Sequence, residues 1–437
     1  MIINRRDVLK LLLFSSVSPY LYSCAKNPVT GKSELSFISK EDEIKLDKEN
    51  SKFQFSNDYG EIQDKEINNY INSVGHSLSK VSHRPYMPYS FRVVNAVYVN
   101  AYAFPAGSIA ITRGMIANLG SEAELAATLG HEIGHVSARH TAKVMSKGLI
   151  LSGILTGLLV YLSIEDNPFI PLASTAAGIG SSLILAKYSR DDERQADRLG
   201  MEYMVKALYN PDGMIKLMDL LKNLQKHKPS MIEAMFSSHP MSEERYENAK
   251  KLKYDKYSHA SNYKIYKERY MDNTYNIRKT KDAIEKLQNA MTLIAKEKFI
   301  EAEDLINKAL ATIPNDYTAL LLMAKCKIYR KQYIEAYKYA SDAKEAYSTE
   351  AQAYYISGLI CTKLEKFEEA LNDFNTYNKL LPGNPEVLFY KGYCYDNLGD
   401  ISDAIKYYTA YLDKVNKGEN VNYAKKRLYA LRMKRIF

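Results

Sequence analysis

His131-Glu132-Ile133-Gly134-His135 is an H-E-x-x-H, and its reading decides the rest of the chain. A helix turns once in ~3.6 residues, so positions four apart share a face. On a helix, His131 and His135 present two imidazole nitrogens to one metal ion, with Glu132 beside them. Two ligands and a general base for an activated water are the parts of a zinc hydrolase. Helical context is written upstream: Ser121-Glu122-Ala123-Glu124 reads as a capping box, S-x-x-E, and Leu125, Ala126, Ala127 and Leu129 follow without a breaker. Gly130 and Gly134 each cost a helix ~1 kcal/mol against alanine. At 134, glycine is expected to leave room beside the metal.

A third ligand must come from elsewhere. The extended H-E-x-x-H-x-x-G-x-x-H pattern needs glycine at 138 and histidine at 141, and the chain has Ala138 and Thr141, so that class is excluded. His140 is one residue out of register and reads as structural. Downstream, Ser189-Arg190-Asp191-Asp192-Glu193-Arg194-Gln195-Ala196-Asp197 places Glu193 and Asp197 four apart, on one helix face. Glu193 can ligate zinc, and Asp197 can orient a ligand histidine from behind. Alone, an E-x-x-x-D is usually solvated surface; it gains weight from the H-E-x-x-H.

Together, His131 to His140, Ser189 to Asp197 and the later His239-Pro240 resemble the HtpX / CAAX prenyl protease-related family of zinc metallopeptidases. The resemblance runs over roughly residues 25 to 255. In that family S-R-x-x-E-x-x-A-D follows the H-E-x-x-H. The resemblance implies Glu193 as third zinc ligand and Asp197 as an orienting acid or proton donor, with Glu132 as the catalytic base. Asn100-Ala101-Tyr102-Ala103-Phe104-Pro105-Ala106-Gly107 is similar to the family's strand before the active-site helix, with Pro-Ala-Gly for the usual Pro-Gly-Gly. Residues 108 to 112, Ser-Ile-Ala-Ile-Thr, alternate like a strand, and an edge strand there is expected to hold an extended substrate by its backbone. His239, in Ser237-Ser238-His239-Pro240-Met241, matches a histidine that in BepA-like members takes the fourth zinc position. That position must be open for catalysis, so a latent enzyme plugged by His239 is expected.

The C-terminal third repeats. Ala302, Ala336, Ala370 and Ala404 recur every 34 residues, as do the small residues Ala324, Gly358 and Gly392. That period is the tetratricopeptide signature, in four units from about 283 to 418 with a capping helix after them. Its concave face is expected to bind proteins. Many of the 36 tyrosines lie here, and Tyr354 and Tyr395 read as packing residues. With the repeats, the resemblance points to the BepA-like branch.

Asn4-Arg5-Arg6-Asp7-Val8-Leu9-Lys10 resembles a twin-arginine export signal, and Leu21-Tyr22-Ser23-Cys24 a lipobox with an unusual Tyr22. Ala25 after the cysteine suits sorting to the outer membrane. Asn27-Pro28-Val29-Thr30-Gly31-Lys32 is similar to the family's mature start. Beyond Cys24, the cysteines Cys326, Cys361 and Cys394 lie in apolar repeat helices and read as buried free thiols. Residues 148 to 164 and 167 to 186 are uncharged. A membrane hairpin is one reading; a helical pair covering the active site is preferred, because Gly, Ser, Thr and Pro dilute the apolar signal. Net charge is +9 but diffuse, and no nucleic-acid motif is present. Lys425-Lys426-Arg427 with Arg432, Lys434 and Arg435 reads as a solvated basic face.

The expectation is an α+β, mostly helical chain: a signal over 1–23, a zincin-like metallopeptidase domain over 24–255, a connection over 256–282, and an α-solenoid of tetratricopeptide repeats with its cap over 283–437. One Zn2+ per chain is held by His131, His135 and Glu193, with His239 as conditional fourth ligand. The implied activity is zinc endoproteolysis of misfolded or misassembled outer-membrane proteins in the periplasm. The implied partners are unfolded substrates, the outer-membrane assembly machinery at the repeats, and the membrane through a lipid at Cys24. The rival is a chaperone or assembly factor in which proteolysis is secondary.

Overall fold

The structure, a computed structural model, describes residues 24–35, 38–144, 188–227 and 233–434. The export signal and the two uncharged stretches lie outside these residues. Among the described residues no helix is long and apolar enough to cross a membrane.

The chain opens with an antiparallel hairpin, β1 (Cys24–Lys26) and β2 (Ser33–Leu35). Asn27 builds its turn: its Oδ1 accepts from the Val29 and Thr30 amides at 2.9 and 3.1 Å, a side-chain mimic of a backbone turn. Helix α1 (Lys40–Asn57) follows, entered through a Ser39/Asp42 capping box. Helix α2 (Lys65–Ser79) is amphipathic and buries Ile67, Ile71, Val74 and Leu78 at helical spacing.

Three strands form the sheet: β3 (Ser90–Val94), β4 (Ala101–Ala103) and β5 (Ser108–Thr112), in the order β3-β5-β4. β5 is parallel to β3 and antiparallel to β4. This corrects the sequence expectation. Ser108–Thr112 is the central strand, and Ala101–Ala103 is the edge. The alternation of Ser-Ile-Ala-Ile-Thr suggests one wet face, but residues 109 to 112 are all buried, as befits a strand paired on both sides and covered on both faces.

Helix α3 (Glu122–Ser137) carries the H-E-x-x-H and is buried along its whole length. Ser121 caps it by accepting from the Glu124 amide, while the Glu124 carboxylate reaches one residue further back than in a capping box, to the Gly120 amide at 2.7 Å. Helix α4 (Arg190–Lys206), with a Ser189/Asp192 capping box, carries Glu193 and Asp197 and packs along α3. The contact is close because both helices are bare where they touch. A Cβ on Gly134 would lie 2.9 Å from the Ala196 carbonyl oxygen, and one on Gly130 3.0 Å from that of Gly200. Gly134 therefore makes room for a second backbone, not for the metal. Helices α5 (Asp212–His227), α6 (Glu233–Ser238) and α7 (Glu243–Lys256) complete this unit.

The connection over 256–282 is folded onto the peptidase side. In α8 (Lys267–Asn273), the fully buried Tyr270 donates to the Ile116 carbonyl at 2.7 Å, and Arg269 pairs with Glu122 at the start of α3. Four helical pairs then stack: α9 (Lys281–Ala295) with α10 (Phe299–Thr312), α11 (Tyr317–Tyr329) with α12 (Tyr333–Ala346), α13 (Gln352–Lys363) with α14 (Phe367–Leu380), and α15 (Pro385–Asn397) with α16 (Ile401–Leu412). Ala302, Ala336, Ala370 and Ala404 are fully buried where the helices of each pair meet. Gly358 and Gly392 face aromatic rings: a Cβ on either would come within 2.8 Å of Phe374 or Tyr408. Helix α17 (Glu419–Lys434) covers the last pair with Val421, Ala424, Leu428 and Leu431. Cys326, Cys361 and Cys394 are free and buried, and burial pushes each thiol upward.

The repeats are joined to the peptidase unit by buried polar contacts. Arg113, directly after β5, grips Asp316 with both terminal nitrogens. The Thr318 hydroxyl donates to the Asn95 carbonyl at 3.0 Å, and the Tyr347 hydroxyl to that of Glu61 at 2.8 Å. Glu350 accepts from Ser56 across the joint and from Tyr317 within the repeats.

Candidate metal centre

Helix α3 points His131 and His135 toward α4, and the first turns of α4 return Glu193 and Asp197. His239 enters from the end of α6. The structure thus gathers His131, His135, Glu193 and His239, all buried, with one donor atom from each within 4.8 Å of the others. Most contacts are closer. His135 Nε2 lies 3.0 Å from His131 Nε2 and 3.3 Å from Glu193 Oε1. His239 Nδ1 lies 3.3 Å from His131 Nε2 and 3.0 Å from Glu193 Oε1. His131 Nε2 is 3.5 Å from Glu193 Oε2. A tetrahedral ion with bonds of ~2.0–2.1 Å has ligand-to-ligand edges of ~3.3–3.4 Å, so the donor set fits zinc.

The groups behind fix which nitrogen faces inward. His131 Nδ1 sits 3.0 Å from Asp197 Oδ1, which accepts its N–H and leaves Nε2 a lone pair. His135 Nδ1 meets His140 Nδ1 at 2.9 Å, and His140 Nε2 meets Gln195 Oε1 at 3.0 Å. An amide oxygen only accepts, so His140 carries its proton on Nε2 and accepts from His135 through Nδ1. His135 then turns a bare Nε2 toward the cluster. His140, structural by sequence, is therefore the outer partner of a ligand candidate. Its register, five after His135, matches no ligand pattern, which is why the sequence gives no signal for the role.

Arg245 is the other group that the motifs do not announce. It binds Asp197 with two hydrogen bonds of 2.7 Å, and its Nη1 lies 2.7 Å from Glu193 Oε2 without hydrogen-bond alignment. Burial would raise both carboxyls. For Asp197 the Arg245 charge and hydrogen bonds outweigh burial and hold it below its ordinary value. For Glu193, the charges and hydrogen bonds of His239, His135 and His131 hold it well below. Burial drives the His135 imidazole well below its usual range, so it is neutral and able to ligate. Glu132 differs: burial pushes its carboxyl up, only partly countered by His239 and His131. Its Oε1 is 3.9 Å from His239 Nε2.

The edge strand has a readable polarity. The Thr112 amide donates to the Asn100 carbonyl and the Phe104 amide to the Ser108 carbonyl, so even-numbered residues of this stretch pair with β5. In an antiparallel ladder the alternate residues turn their N–H and C=O groups outward. Those are Ala101 and Ala103, on a strand that packs beside α3.

An H-E-x-x-H helix, a carboxylate from a second helix and a carboxylate–histidine contact behind define the metallopeptidase class of site. Comparison with known proteins agrees. Residues 65–253 match the model of peptidase family M48, and residues 295–377 match that of anaphase-promoting complex, cyclosome, subunit 3. The chain carries an M48 peptidase domain followed by a TPR-like region. It is 27% identical over 194 residues to the beta-barrel assembly-enhancing protease of Yersinia pestis, covering 43% of this chain and 39% of that protein. It is 32% identical over 130 residues to the mitochondrial metalloendopeptidase OMA1 of Arabidopsis thaliana, covering 30% of this chain and 25% of that protein. The matches thus span about two fifths or less of these relatives. Among solved structures, YrrB, a TPR protein with an unusual peptide-binding site, is 16% identical and covers 47% of this chain and 97% of its own, with a TM-score of 0.31.

Proposed function

We propose that the chain is a zinc endopeptidase of the cell envelope that degrades misassembled outer-membrane proteins and is held latent by His239. The observation that carries the reading is the convergence of four buried donors, His131, His135, Glu193 and His239, within 4.8 Å of one another. His131, His135 and Glu193 would hold the zinc. When bound, zinc polarises a carbonyl and lowers the pKa of a coordinated water to about 7. Glu132, beside the cluster and raised by burial, takes the proton of the attacking water and passes it to the leaving amine. Asp197 and Arg245 keep His131 and Glu193 in place. The outward peptide groups of Ala101 and Ala103 would hold an extended substrate chain by its backbone, which suits unfolded substrates over any one sequence. The repeats would dock the substrate or its assembly machinery; similarity to the beta-barrel assembly-enhancing protease of Yersinia pestis supports an outer-membrane setting. Periplasmic location and a lipid at Cys24 belong to the same proposal.

His239 competes for the place that a reacting water needs, which supports latency. The same closed site, beside a long binding arm, favours a second reading as an assembly factor with secondary proteolysis. One experiment separates them: degradation of an unfolded outer-membrane β-barrel protein by wild type, Glu132→Gln and His239→Ala. The expected order is His239→Ala fastest, wild type slow, Glu132→Gln inactive. Equal rates for wild type and His239→Ala would sink the plug. No cleavage by any variant, with aggregation of the barrel protein still suppressed by Glu132→Gln, would favour the assembly factor.

A further inference from the structure

His135 is held at its edge by His140, but an imidazole with one hydrogen bond can still swing about its terminal torsion, which has broad wells. The Tyr188 ring packs against one face of that imidazole. It lies over the His135 ring, centroids 4.0 Å apart and planes inclined by 27°. Tyr188 is 7% exposed and is itself fixed at two further points. Its hydroxyl shares a hydrogen bond of 2.9 Å with Thr141, on the chain just past the H-E-x-x-H helix, and its amide donates to the Ser238 carbonyl at 3.3 Å. Its ring also stands 5.2 Å from that of His239. A residue one position before the Ser189 cap is therefore pinned to both sides of the cluster, with its flat face against one ligand candidate.

We propose that Tyr188 is a positioning residue of the metal centre: its stacked ring sets the plane of the His135 imidazole so that Nε2 points at the centre shared with His131 and Glu193. The inference rests on the metal-site reading above. It differs from core filling in one respect. Filling needs only volume, whereas positioning needs a flat ring.

Tyr188→Phe keeps the ring and loses the hydroxyl; Tyr188→Leu and Tyr188→Met keep apolar volume and lose the plane. Zinc affinity is measured on the full chain by chelator competition, and the cobalt-substituted protein is followed by its visible absorption. Unfolding of the zinc-free protein is the control. Groups that orient a ligand from behind change metal affinity by ~10–100-fold. The expectation is affinity within about threefold of wild type for Tyr188→Phe and a loss of at least about tenfold for Tyr188→Leu, with a shifted cobalt spectrum. If Tyr188→Leu does not fold, Tyr188→Met carries the comparison. Wild-type affinity and spectrum in a folded Leu or Met variant would overturn the positioning role and leave the metal site standing. A wild-type protein that binds no zinc would overturn the metal reading, and this inference with it.

Discussion

Replacing Gly134 with alanine places a Cβ 2.9 Å from the Ala196 carbonyl oxygen and 3.1 Å from its Cα. Both are backbone atoms, so the clash cannot be relieved by a rotamer. Restoring ordinary contact at 3.4 Å needs α3 and α4 to part by about half an ångström at this level. Overpacking of this kind costs ~1–3 kcal/mol. Alanine returns ~1 kcal/mol of helix propensity, so the net loss of stability is expected to be only ~0–2 kcal/mol. The metal centre has no such offset. His131 and His135 ride on α3 and Glu193 on α4, at 3.5 and 3.3 Å across the gap. Parting the helices stretches these spacings well beyond the ~0.2 Å tolerance of a zinc site. Zinc affinity should fall ~10–100-fold, or ~1.4–2.8 kcal/mol. Chelator competition measures the affinity, and urea unfolding of the zinc-free protein measures the stability. A Gly134→Ala protein that binds zinc within twofold of wild type would refute the reasoning, because the two helices would then not be spaced by that contact.

Arg113→Ala strands the Asp316 carboxylate, whose side chain is 5% exposed, and should cost ~3–5 kcal/mol in denaturant unfolding of the full chain. Burial would raise the Asp316 carboxyl, but Arg113 outweighs it and holds it below its ordinary value. The contribution is therefore complete above the unfolded value of ~3.9 and fades as pH falls through the lower folded one, so an acid titration of the wild type should lose it and Arg113→Ala should show no such loss. Glu297, Lys331 and Glu365 hold φ of 58°, 59° and 58° where the fourth repeat has Gly399 at 80°. Replacing each with glycine should raise stability by ~0.5–1 kcal/mol, and Gly399→Ala should lower it, both read as shifts of the urea midpoint.

Legibility in the sequence followed the range of the contacts. The His131/His135 pair was legible from its spacing of four, and the repeats from one small residue recurring at a fixed interval, whereas Glu193 as third ligand and His239 as fourth came through the family resemblance. Spacing put Asp197 on the face of Glu193, and the structure sets it against His131 Nδ1. What spacing could not supply was pairing between distant segments. Ser108–Thr112 and Ala101–Ala103 both look like strands, and only the register with Ser90–Val94 decides which is the edge. Arg245 lies 48 residues beyond Asp197, and nothing local marks it as that residue's partner. Tyr188 and His140 matter through a ring face and one nitrogen, features that a residue letter does not carry. Gly134 was visible as an anomaly, but its cause, the backbone of Ala196, lies on another helix.

The buried joint between peptidase unit and repeats has a consequence for how a bound client would meet the centre. A binding module on a flexible tether raises local concentration but leaves its cargo to explore a sphere around the attachment point. Here the connection is folded against α3, and Arg113, Asn95 and Glu61 are each held by a repeat residue. A segment seated on the arm would be presented at one distance and one bearing. Under the function proposed above, the arm would act as a ruler: which part of a client could reach Glu132 would depend on how many residues separate that part from the docked segment, and little on the sequence around the bond.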